Sequence, residues 1–330
     1  ACHEVGHSLG LRHNMMASAA FPTDSLRSAT FTLRMNSTSS SIMDYARFNY
    51  VAQPGDGVKV LSPHIGPYDK FAIEYGYRWY GKNSPEEEKD LLYDLLGKYS
   101  GKLYKYSEAQ DVRDAVDPRA QNEDLGDDPV RSSLYGIANL KRIVPEILKW
   151  TTTGEKGQTY EDASRLYYAV INQWNNYLYH VLANIGGIYI ENTTVGDGVK
   201  TYTFVEKSRQ KEALRFLIDQ VLTYPAWLFD TEVGQYTYLL RDTPNGVQEN
   251  APAQILKNAQ AYILWDLLGN NRLMRMIENE YENGKDAFTV VEMMDELHKS
   301  LFGVTERGGN PDVMERSLQK NFLDALMTAA

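Results

Sequence analysis

From Tyr160 to Ala183 the apolar residues Leu166, Val170, Trp174, Tyr177 and Val181 recur three or four apart, the spacing that gathers them on one side of a helix. The same period predicts helices over about 86–98, 129–150, 207–222, 252–267, 270–282, 288–301 and 310–328. The first of these opens on Ser84-Pro85-Glu86-Glu87-Glu88, where serine suits a cap, proline the first turn, and the carboxylates the positive end of the helix dipole. Between Gly186 and Val205 the pattern changes to β-rich runs on either side of Gly196-Asp197-Gly198, which predicts one β-hairpin. The first eighty residues are less regular. Val5 and Leu9 lie four apart, with His3 and His7 on a neighbouring face, in a predicted helix that ends at Gly10. A turn-rich stretch with one short helix follows, closing on the polar run Asn36-Ser37-Thr38-Ser39-Ser40-Ser41, which has loop chemistry. Two further turns, Pro54-Gly55-Asp56-Gly57 and Ser62-Pro63-His64-Ile65-Gly66-Pro67, precede a short amphipathic helix over Tyr68 to Tyr75, stopped by Gly76. The pattern predicts a mainly α chain divided near Tyr80, with an irregular unit at 1–80 and a mainly helical one at 81–330.

A chain of 330 residues that is 43% hydrophobic can bury two moderate cores, in keeping with that division. Its net charge of −10 and the absence of a basic stripe argue against nucleic acid as a partner. No run of apolar residues is long enough to predict a transmembrane segment. The single cysteine, Cys2, cannot form an internal disulfide and is expected to be a buried thiol. Neither a glycine-rich phosphate loop nor a Gly-x-Ser-x-Gly elbow occurs, which leaves nucleotide-dependent and serine-hydrolase readings without support.

Chemistry concentrates at the start, in His3-Glu4-Val5-Gly6-His7-Ser8-Leu9-Gly10-Leu11-Arg12-His13, which holds three of the six histidines. Histidines four apart project from one side of a helix and can hold one zinc ion (Zn2+). Glu4 then faces the same opening as a general base and acid. Gly10, without a Cβ, lets the chain leave the helix through a left-handed turn that brings His13 back as third ligand.

This motif resembles the zinc-binding segment of the metzincin metallopeptidases, and Ser41-Ile42-Met43-Asp44-Tyr45 resembles their Met-turn, in which a methionine lies beneath the zinc-bound imidazoles. The tyrosine two residues after the methionine is similar to astacins and serralysins. The resemblance implies that Tyr45 ligates zinc in the resting enzyme and donates a hydrogen bond to the oxyanion; a buried structural tyrosine fits the same letters. Asn14 departs from those two families, so their substrate preferences are not carried over. Further segments, Arg47 to Asp56 and Gly66 to Tyr77, resemble the large exported zinc-dependent metalloproteases of Bacteroidetes-type bacteria.

The resemblance implies the C-terminal subdomain of a zincin-like catalytic domain followed by a helical domain. It also implies a protein or peptide substrate and an extracytoplasmic location. Because zincins reach this helix only after an N-terminal sheet, the chain is expected to be part of a longer polypeptide whose N-terminal portion is its partner. On that expectation the isolated chain is inactive or lacks its metal. An alternative function is a helical binding or scaffolding module joined to a catalytically silent zincin remnant.

Asp117 to Asp128 concentrates oxygen ligands around Gly126, without EF-hand spacing. It suits a calcium (Ca2+) site, a loop bordering the cleft, or a solvated acidic loop or helix cap. His64, His180 and His298 are expected to be structural, and aromatics at helical spacing such as Trp174 and Tyr177 to be core.

Overall fold

The computed structural model describes residues 1–108, 115–237 and 252–329. Helices dominate: α1 (Cys2–Ser8), α2 (Ala29–Met35), α3 (Pro67–Tyr77), α4 (Pro85–Lys98), α5 (Pro129–Ile143), α6 (Ile147–Thr151), α7 (Glu161–Leu182), α8 (Lys207–Leu217), α9 (Ala226–Phe229), α10 (Pro252–Leu267), α11 (Asn270–Asn283), α12 (Val290–Glu306) and α13 (Val313–Ala329). Strands β1 (Ile188–Ile190) and β2 (Tyr202–Phe204) pair antiparallel, Ile188 opposite Phe204, in the expected hairpin. The mainly α expectation holds. Where one helix was expected over 129–150, Val144-Pro145-Glu146 forms a 3₁₀ turn between α5 and α6, because proline cannot donate to the helical ladder. Among the described residues no helix is long and apolar enough to cross a membrane.

Two compact units emerge, one of residues 1–135 with 191–201 and one of 136–190 with 202–330. The boundary expected near Tyr80 therefore falls inside the first unit. Residues 81–135 remain tied to what precedes them: Gln53 Nε2 donates to the Tyr135 carbonyl at 3.0 Å, and the Leu125 amide to Tyr50 Oη at 2.9 Å.

In the second unit α7 is the axis of the core. Trp174, Tyr177, Leu178, Val181 and Leu182 are all buried on it, as the period predicts. Gly136 on α5 lets that helix approach closely, since a Cβ there would lie 2.4 Å from the Tyr177 ring. At the end of α7 the buried Arg272 donates to the carbonyls of Leu182, Ile185 and Asp266, satisfying backbone acceptors that the helix and turn leave open. Gln210 bonds Gly186 and Val205 and so closes the base of the hairpin.

The first unit is held differently. Its apolar cluster is small, built of Ala20, Phe21, Leu26, Val51 and Leu125. Met15, Met16 and Ala120 form a second small cluster, and much of the remaining interior is polar. Ser37, Thr38, Ser39, Ser40 and Ser41 are all fully buried, so the run read as a polar loop is an interior strap. Buried hydroxyls need partners, and several here find them in the backbone: Ser37 Oγ donates to His64 O, and Ser39 Oγ to Ser41 O at 2.7 Å.

Candidate metal centre

Helix α1 begins at the second residue and ends where predicted. Gly10 adopts φ +81°, the Leu11 amide reaches back to the Gly6 carbonyl at 3.0 Å, and the Gly10 amide to that of His7 at 2.9 Å. These are the two bonds of a Schellman end, and they turn the chain so that His13 returns toward the helix. Tyr77 Oη, from the last turn of α3, donates to the Leu9 carbonyl at 2.9 Å and ties down the same end.

The result is a set of three imidazoles. One ring nitrogen from each of His3, His7 and His13 lies within 4.8 Å of the others, and Nε2 of His7 is 3.1 Å from Nε2 of His13. Two of the rings are oriented through their far nitrogens: Nδ1 of His3 lies 2.7 Å from the Ile42 carbonyl, and Nδ1 of His7 lies 2.9 Å from the Leu11 carbonyl. A carbonyl only accepts, so each Nδ1 carries the proton and each Nε2 its lone pair, the tautomer used in metal ligation. His3 Nε2 is buried with no hydrogen-bond partner. An orphaned buried lone pair facing two further imidazoles is the donor set that a zinc ion fits. Burial first, and then the neighbouring His7 and His3, push the His13 pKa below its ordinary value, which favours the neutral ligating form.

Met43 is fully buried beneath α1, and a Cβ on Gly6 would lie 2.3 Å from its sulfur. Gly6, the residue before the second histidine, thus leaves room for the methionine. Tyr45 is half exposed, its ring stacked on His3 with centroids 5.0 Å apart and 4.7 Å from that of His13. The alternative of a buried structural tyrosine is therefore set aside. Glu4 is exposed on α1, near enough to His13 for its charge to act on that imidazole.

Two residues that hold this arrangement were given no structural role from the sequence. The buried Asn14 follows the third histidine. Its amide donates to the Met43 carbonyl at 3.1 Å, its side-chain nitrogen to Lys105 O at 2.9 Å, and its side-chain oxygen accepts from the Ser107 amide at 3.1 Å. Asp69, buried at the start of α3, grips the segment around Met43. The signal for Asn14 was its departure from the astacin and serralysin pattern; Asp69 gave no local signal.

Other expectations need correction. Cys2 is exposed, on the open side of α1 together with Val5 and Leu9; only Gly6 of that helix is buried. The carboxylates of the 117–128 segment are divided among protein partners. Asp117 takes the Arg119 guanidinium, Asp124 accepts from Ser18 Oγ, Asp127 accepts from the Thr23 amide and Lys102, and Asp128 accepts from the Arg131 amide at the start of α5. Among the described residues, the one group of three or more histidine, cysteine or acidic side chains close enough to hold an ion is the histidine set, so the calcium expectation finds no cage. The helix-cap expectation does fit Asp128. His64 has its ring on the Ser62 carbonyl, His180 is buried, and His298 pairs with Glu306; none of them joins the cluster.

Beside Met43 lies a second buried acid. Asp44 accepts from the Ser18 amide at 2.6 Å, and Ser18 Oγ donates to Asp124, so one serine joins two interior carboxyls. Burial pushes the Asp44 pKa up to about 8, and burial plus the charge of Asp44 raise Asp124 as well. An unfolded aspartate titrates near about 3.9, so between these values the folded chain holds protons that the unfolded chain has released. The pair's contribution to stability is complete below the unfolded value and is lost as the pH rises through about 8. Urea midpoints are accordingly expected to fall between about pH 4 and 8 and to level off above that range, with a shallower fall in Asp124→Asn. Equal slopes in the two proteins would rule out the pair as the cause.

A family model described as Met-zincin matches residues 1–309. The chain belongs to the Met-zincin family. The match runs through both compact units and includes every histidine of the cluster. No curated protein and no solved structure matches the chain.

Proposed function

We propose that this Met-zincin is a zinc-dependent endopeptidase, with His3, His7 and His13 as metal ligands, Glu4 as general base and acid, and Tyr45 as oxyanion donor. The observation that carries the reading is the convergence of three imidazole nitrogens whose tautomers are set by backbone carbonyls, above a buried methionine. Zinc held by this set supplies Lewis acidity, polarising the scissile carbonyl and lowering the pKa of water toward neutrality. Glu4, on the same helix as His3 and His7, takes a proton from the attacking water and delivers it to the leaving amine. Tyr45 has its ring against His3 and His13 and is half exposed, in keeping with a hydroxyl donor to the developing oxyanion. The buried Met43 offers a polarisable sulfur floor rather than a ligand.

A complete ligand set, together with an accessible glutamate and tyrosine, weighs against a silent remnant. The reading carries with it a protein or peptide substrate and an extracytoplasmic location, both of which rest on the family resemblance. The test is metal content and hydrolysis together. The intact protein should hold about one zinc per chain, lose cleavage of an unstructured peptide on chelation, and recover it with added zinc. Intact protein that bound no zinc would refute the assignment.

A further inference from the structure

We infer that Asp69 is a positioning residue for the metal centre, acting on His3 through Ile42. The inference rests on the proposed zinc site and adds to it a residue outside the ligand motif.

Asp69 lies at the third position of α3, 3% exposed, and its carboxylate accepts three hydrogen bonds. The Gly66 amide donates to Oδ2 at 2.7 Å, which caps the helix locally. The other two bonds are long-range. Ser41 Oγ donates to Oδ1 at 2.5 Å and the Ile42 amide to Oδ2 at 2.8 Å, across 28 and 27 residues of sequence. Ser41 Oγ in turn accepts from the Met43 amide at 3.0 Å. One carboxylate therefore determines the path of residues 41–43, the segment that carries Met43 under α1.

Ile42 connects this grip to the ligand. Its amide is held by Asp69 and its carbonyl lies 2.7 Å from Nδ1 of His3. That carbonyl sets the tautomer and ring direction of His3, and hence where Nε2 points. His3 needs such an anchor more than its neighbours do, since His7 has its far nitrogen on Leu11, a carbonyl of its own local turn. A carboxylate that orients a metal-binding histidine through a backbone unit should act on metal affinity as other outer partners of ligands do, by about 10- to 100-fold.

The experiment compares metal-free and zinc-loaded intact protein for wild type, Asp69→Ala and Asp69→Asn, with Asp56→Ala as a control. Asp56 is a carboxylate of the same unit paired with Arg27, outside the chain of contacts from Asp69 to His3. Zinc dissociation constants come from chelator competition and the His3 tautomer from its ¹⁵N shifts. Asp69→Ala should weaken zinc by about 10- to 100-fold and shift His3 away from the Nδ1-protonated tautomer. Asp69→Asn keeps an oxygen for the Ile42 and Gly66 amides but loses the acceptor facing Ser41, and should weaken zinc by about 3- to 10-fold. Asp56→Ala should leave both readouts unchanged even if it lowers stability. Should the alanine variant fail to fold, the asparagine variant carries the test. Wild-type affinity and an unchanged His3 spectrum in Asp69→Asn would overturn the inference. A wild type that binds no zinc would instead defeat the reading beneath it, so the two failures are distinguishable.

Discussion

Glu4→Gln is expected to retain zinc and lose peptide hydrolysis by about 10²- to 10⁴-fold, the range that a positioned general acid–base contributes. Glutamine matches glutamate in length and helix propensity, so α1 and its Schellman end should be unaffected. What disappears is the ability to take up and return a proton. Glu4 immediately follows His3 and precedes His7 by about one turn, so one helix carries both of these histidines and the proposed base. The loss should appear in kcat, with KM for an unstructured peptide little changed, because the proton is moved only after substrate is in place. His7→Ala supplies the contrast: it removes an imidazole from the cluster, and metal and activity should fall together. A Glu4→Gln enzyme that cleaved at the normal rate with full zinc would exclude Glu4 as the base and leave the present mechanism without a proton acceptor.

The contrast between the two compact units explains what could be read in advance. The helices of the second unit were legible because each announces itself within a few turns: Leu166, Val170, Trp174, Tyr177 and Val181 form one stripe on α7, and all of them but the partly buried Leu166 are core. The histidine cluster was legible for the same reason, since His3, His7, the left-handed Gly10 and His13 all lie within the first thirteen residues. The first unit resisted because its decisive contacts are long-range and polar. The run Ser37 to Ser41 carries the signature of a solvated loop, yet it is buried, with the hydroxyls of Ser37 and Ser41 and the main chain of Ser40 bonded to partners far along the sequence. Asp69 reads as an ordinary helix-start carboxylate until Ile42 is found against it. The acidic run at 117–128 misled in the same way: its charges suggested solvent or an ion, whereas Asp117 and Asp124 are interior groups with partners in the protein. No hydrophobic period reports such pairings, and the unit boundary was misplaced because it depends on them.

Gly66→Ala is expected to produce the largest loss of stability, on the order of 3 kcal/mol or more, from a single methyl group. The backbone conformation is not the obstacle, since φ −102° and ψ −175° are open to any residue. The obstacle is space: a Cβ at Gly66 would lie 2.0 Å from the Ser40 carbonyl oxygen and 2.4 Å from its carbon. Neither atom belongs to a flexible side chain, and that carbonyl also accepts from the Tyr68 amide at 3.0 Å. Relief requires α3 and the serine strap to separate, which would stretch the bonds from Ser41 and Ile42 to Asp69 and withdraw the support beneath Met43. Gly76→Ala, ten residues along in the same helix, provides the internal control. A Cβ there meets nothing within 4 Å, so alanine should stabilise the protein by about 0.5–1 kcal/mol through helix propensity. Urea denaturation should therefore move the two midpoints in opposite directions, with zinc affinity falling only in the Gly66 variant. Equal and small shifts would show that the strap and α3 are not in the close contact on which the support of the metal centre depends.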